Sequence, residues 1–129
     1  MEAERARRAA SLQSIASNLD ASAAPLLLAH FGAVLLHKEL AAVATQLIEG
    51  GFPVAVSRLL TAITLSNERR CVRVEHALQD AFVTVSFYDA PIPLSATRAE
   101  RWAPKGDLAS IQADANGHAK VIAAHLIRA

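Results

Sequence analysis

Apolar positions recur with helical spacing through the first half of the chain and with strand spacing after it. Between Glu2 and about Leu19, the residues Leu12, Ile15, Ala16 and Leu19 fall at i, i+3, i+4 and i+7. Arg5, Arg7, Arg8, Ser11 and Ser14 mostly take the other side, so an amphipathic helix is expected. Ser22 and Pro25 suit the start of a second helix, and Gly50-Gly51 suit its end near Glu49. In its first half, Leu26, Leu27, Leu28, Phe31, Val34, Leu35 and Leu36 point in nearly every direction. Beyond Leu36 the pattern narrows to Leu40, Val43, Ala44 and Leu47. The first half should therefore be buried on several sides, as the centre of the fold or of a subunit interface. From Pro53 to about Asn67, Val56, Leu59, Leu60 and Ile63 repeat the helical spacing and predict a third helix.

After Asn67 the period drops to two. Val72 and Val74 alternate with Arg73 and Glu75, and Val83, Val85 and Phe87 alternate with Thr84 and Ser86. Both runs read as strands, over Cys71–His76 and Phe82–Tyr88. Residues 94–106, carrying Trp102, read as a mixed linker or short helix. The turn signal Asp114-Ala-Asn-Gly117 favours a hairpin of Leu108–Ala113 against His118–Leu126. The competing reading is one helix from Asp107 with a stripe of Leu108, Ile111, Ala115, His118 and Ile122, and Gly117 in its interior. The expected architecture is one α+β domain over 1–129, helical to about 67 and β over about 70–127. Three N-terminal helices are followed by an antiparallel sheet of three or four strands packed on them.

Composition narrows the function classes. Ala supplies 28 of the 129 residues, so the 53% hydrophobic content overstates the core-forming supply. A net charge of +1 provides no strong field for nucleic acid or a membrane surface. No run of 18 uncharged apolar residues is present, so no spanning helix is expected, and the start of the chain lacks a secretory pattern. The single Cys71 excludes an intramolecular disulfide and any CxxC or zinc-finger spacing. A cytoplasmic protein fits these features, and the Ala and Arg content fits a GC-rich bacterial source.

Residues with chemical potential are scattered. His30 and His37 stand seven apart, about 10 Å along a helix axis, too far for one metal to bind both. No metal or cofactor site is expected, and no phosphate-cradling or hydrolase motif is present. Cys71 would need His76 and Asp80 around it to act as a nucleophile, and the odd spacing along a strand opposes that. Phe31, His76, Phe87, Tyr88 and Trp102 are the candidate lining of a cavity between helices and sheet.

Two short segments resemble known motifs. Glu39 to Leu60, with its Gly50-Gly51 turn and Val56-Ser-Arg-Leu-Leu60 run, resembles a helix-turn-helix. That resemblance implies nucleic-acid contacts from Ser57, Arg58 and Thr61. It departs from the motif at Gln46, Gly51 and Pro53. Lys105-Gly-Asp-Leu108 is faintly similar to a zinc-loop segment of copper–zinc superoxide dismutases, which would make Asp107 a ligand. Pro104 stands where that family has a histidine, and the resemblance is not adopted.

The leading expectation is a small, soluble, oligomerising, non-catalytic interaction or adaptor protein, dimeric through the second helix. The alternatives are a small-molecule-binding protein or enzyme with a helix–sheet cavity, and a helix-turn-helix-like DNA-binding regulator.

Overall fold

The computed structural model describes residues 23–128; the first expected helix lies outside them. The chain runs through α1 (Ala23–Glu49), β1 (Ala55–Arg58), β2 (Ala62–Ser66), β3 (Cys71–Glu75), β4 (Val83–Tyr88), β5 (Arg98–Trp102) and α2 (Leu108–Ile127). The five strands form an antiparallel meander in sequence order, and both helices pack on one of its faces. The fold is α+β. The described residues hold two helices flanking a five-stranded sheet, which corrects the expected three N-terminal helices and three- or four-stranded sheet.

Three segments account for the correction. The expected third helix is the hairpin β1–β2, in which Val56 pairs with Leu65 and Arg58 with Ile63. Val54, Val56, Ile63, Thr64 and Leu65 satisfy a strand as well as a helix, and pairing β2 with β3 decides between them. The expected linker contains β5, paired with β4 so that Val83 meets Trp102, Val85 meets Glu100 and Phe87 meets Arg98. The expected C-terminal hairpin is the single helix α2. Asp107 caps it, its carboxylate accepting the Ser110 amide at 2.8 Å. That bond holds the Asp107 pKa below its usual value, and Asp107 serves as a cap.

The core lies between the sheet's inner face and the two helices. Ile63, Leu65, Val72, Val74, Val83, Val85 and Phe87 meet Leu36, Leu40 and Ala44 of α1 and Ile111, Ala115, Ala119, Ile122 and Leu126 of α2. Each large side chain so buried contributes about 1.5–3 kcal/mol. The helices approach closely because their contact stripes are rich in Ala, and Gln112 and Asn116 donate to the Glu39 carboxylate at 2.9 and 3.3 Å.

α1 ends as its glycines foretold. The Phe52 amide bonds the Leu47 carbonyl at 2.8 Å and the Gly51 amide bonds Ile48 at 3.1 Å, with Gly51 at φ +88°. By length and composition, residues 24–49 form a helix long and apolar enough to cross a membrane, which the sequence expectation had excluded. In this fold its inward stripe, with Leu36 fully buried, belongs to the core. Of the apolar residues in the first half of this helix, Leu36 is thus intramolecular core and Leu28 and Leu35 pack partly buried against it.

Candidate functional site

Around α1, the residues Leu27, Phe31 and Val34 recur at spacings of four and three, opposite the buried stripe. They remain 49%, 53% and 51% exposed. No Asp, Glu, Lys or Arg occurs between Asp20 and Lys38, so the outward side of this half of the helix presents no formal charge apart from histidine. A surface helix ordinarily places charged residues there.

Next to this stripe, α1 crosses the ends of the β1–β2 and β3–β4 connections and leaves a narrow cleft of about 110 Å³. It is lined by His30, Val34 and His37 from the helix and by Leu60, His76 and Leu78 from the connections. Leu60 is 98% exposed at the tip of its turn, and Leu78 is also largely exposed. Val34 belongs to both features, so stripe and cleft make one continuous apolar surface.

Three imidazoles stand in this cleft. The His30 and His76 ring centroids are 6.2 Å apart. His76 is buried, and its Nε2 lies 2.9 Å from the Asp80 carbonyl, to which it donates. His37 Nε2 is buried without a hydrogen-bond partner among the described residues. Burial, then the charges of Arg58 and His76, hold the His37 pKa below its ordinary value of 6.5. The neutral ring leaves an unsatisfied nitrogen beside an apolar cleft, a group that gains from any hydrogen-bonding side chain entering it. No group of three His, Cys, Asp or Glu among the described residues is arranged to hold a metal.

The other sequence candidates do not join this site. Phe31 lies on the exposed stripe and His76 in the cleft. Phe87 is a core residue at the floor of a separate cavity beside the end of α2. Tyr88 is half-buried and pairs with Cys71. Trp102 is buried, its ring centroid 4.8 Å from that of His118. The five therefore do not line one cavity. Ser57 and Arg58 sit on β1 and Thr61 in the turn after it, so no recognition helix carries them. Cys71 is buried with its pKa raised by burial, and it begins the strand that His76 follows, so the two are not brought together.

Sequence reading missed Leu60 and Leu78 because the predicted third helix gave Leu60 a core position. It noted His30 and His37 as a spacing, but the third imidazole is supplied by the connection after β3. No protein-family model, curated protein sequence or solved structure matches the chain.

Proposed function

We propose that this chain is a self-associating interaction module, whose second copy docks on the outward stripe of α1 and the rim of the histidine cleft. The observation that carries this reading is the exposed apolar row Leu27, Phe31 and Val34 continuing into Leu60 and Leu78. A second copy suits the row because its spacing is nearly symmetrical about Phe31. Two α1 helices crossing antiparallel at Phe31 set Leu27 of each copy against Val34 of the other, the self-complementary form of a two-fold contact. Such a contact involves no like-charge juxtaposition, since the first charged residue of the helix is Lys38. Large aromatic and aliphatic anchors of this kind dominate association energies. The leading sequence expectation of self-association through this helix is kept in kind, and within the helix the surface is assigned to Leu27, Phe31 and Val34, since Leu36 belongs to the core.

Sedimentation of the full chain tests the reading. A concentration-dependent dimer is expected, and Phe31→Glu with Val34→Glu should leave a monomer whose melting temperature is that of the wild-type monomer. A wild-type chain that stays monomeric at high concentration overturns the proposal. So does a double variant that melts early as a monomer, because the stripe would then be covered within one chain. Wild-type binding to phospholipid vesicles without dimer formation would assign the surface to lipid instead.

A further inference from the structure

A second cavity, of about 460 Å³, opens between the last turns of α2 and the ends of β4 and β5. Its volume lies within the range of small-ligand sites. Val121 and Ala124 of α2 form an apolar wall, Phe87 closes the floor, and Thr97, Arg98 and Arg128 stand at the rim. The register explains how a cation comes to be there. Arg98 pairs with Phe87, so it occupies an inward-facing position of the edge strand where the neighbouring strands carry Val and Phe. An inward charge protects a sheet edge from pairing with another chain. Edge protection alone does not require a cavity walled on its far side by a helix.

The electrostatics favour an anion. Asp89 lines the cavity, but its Oδ1 is engaged by Arg70 Nε at 3.4 Å. Two carbonyls at the C-terminal end of α2, the negative end of the helix, are also engaged: Asn67 Nδ2 donates to that of Leu126 at 2.6 Å and Arg70 Nη1 to that of the C-cap Arg128. The Arg98 guanidinium lies over the Phe87 ring, 4.2 Å from its centroid, and reaches Glu100 through Nε at 3.3 Å. Among the described residues its two terminal amino groups have no ion-pair partner, and these are the pair that grips a carboxylate bidentately. His125 lines the cavity with Nε2 turned to the Tyr88 carbonyl at 3.1 Å, so the ring is held as part of the wall.

We infer that this cavity binds a small organic carboxylate with an apolar body, its anionic end at Arg98 and Arg128 and its body along Val121 and Ala124. The site is separate from the self-association surface, and neither reading depends on the other. Titration of the isotope-labelled full chain with 3-phenylpropionate, decanoate, the neutral 3-phenylpropanamide and inorganic phosphate tests it by amide NMR. Saturable shifts centred on Thr97, Val121 and Ala124 are expected for both carboxylates. The amide and phosphate should bind at least about tenfold more weakly, and Arg98→Gln should weaken the carboxylates by about 10- to 100-fold, the scale of a charge-assisted hydrogen bond. Val121→Glu, a change at an exposed helix position, should abolish carboxylate binding with the fold intact. Equal binding of the amide, a preference for phosphate, shifts centred elsewhere, no binding at all, or full affinity in folded Val121→Glu would each overturn the inference.

Discussion

α1 and α2 pack against each other and on the same sheet face, yet their solvent sides differ in charge. α2 buries one stripe, Ile111, Ala115, Ala119, Ile122 and Leu126, and exposes Asp114, Asn116, Gly117 and Lys120 together with the apolar Leu108, Val121 and Ile127. α1 buries an equivalent stripe and still exposes Leu27, Phe31 and Val34. The inward sides are alike because one core made them. The outward sides differ: α2 sets Asp114 and Lys120 among its exposed apolar residues, whereas residues 23–37 of α1 carry no Asp, Glu, Lys or Arg. The interior glycines of the two helices repeat the contrast. A Cβ on Gly32 would lie 2.3 Å from Pro104 Cγ and 3.1 Å from the Trp102 ring, whereas one on Gly117 would meet nothing. Gly32 lets α1 touch the segment after β5. Gly117 contributes no contact and only weakens its helix.

The sharpest way to break this comparison is to put the same charge on both sides of α1. Leu36→Glu should unfold the chain or cost at least ~3 kcal/mol in urea denaturation, the scale of an uncompensated buried charge. Phe31→Glu should stay within ~0.5 kcal/mol for the monomer while dissociating the dimer. Next in size, Gly32→Ala should destabilise by about 1–3 kcal/mol, because a proline ring cannot swing aside as a flexible side chain would. Its counterpart Gly117→Ala should stabilise by about 1 kcal/mol, since it fills open space and improves helix propensity. If the two glycine variants shift the urea midpoint in the same direction, the assigned difference between the helices is wrong.

The smallest expected effect is on pH dependence. His37 has a lowered pKa in the folded state, so near pH 6.5 the unfolded chain binds more protons. Stability from this group is present above the unfolded value of 6.5 and declines as the pH falls below it, levelling off beneath the folded pKa. Melting temperatures measured from pH 7.5 to 5 should fall on the acid side, and His37→Gln should reduce that fall.

Local chemistry was sufficient wherever one signal acted alone. The extent of α1 follows from Pro25 and from the glycine pair whose bonds the structure shows at Leu47 and Ile48. The alternation in Cys71–Glu75 and Val83–Tyr88 is the alternation of burial on two central strands. Where two periods fitted, pairing decided. Residues 55–66 carry a helix-like spacing of apolar side chains, but β2 gains a ladder with β3, whose partner residues stand up to 13 positions away. β5 was illegible because its inward positions include Arg98 and Glu100, charges tolerated only at a sheet edge. In α2 the turn signal at Asp114–Gly117 lost to the Asp107 cap and to burial of the stripe that included Ile111, Ala115 and Ile122.

The candidate site divides in the same way. The sequence by itself determined that α1 has more apolar directions than one core can cover, since spacing fixes where side chains point. Which side is covered was a tertiary decision. The sheet and α2 took Leu36, Leu40 and Ala44, and left Leu27, Phe31 and Val34 to join Leu60, Leu78 and three histidines drawn from separate elements.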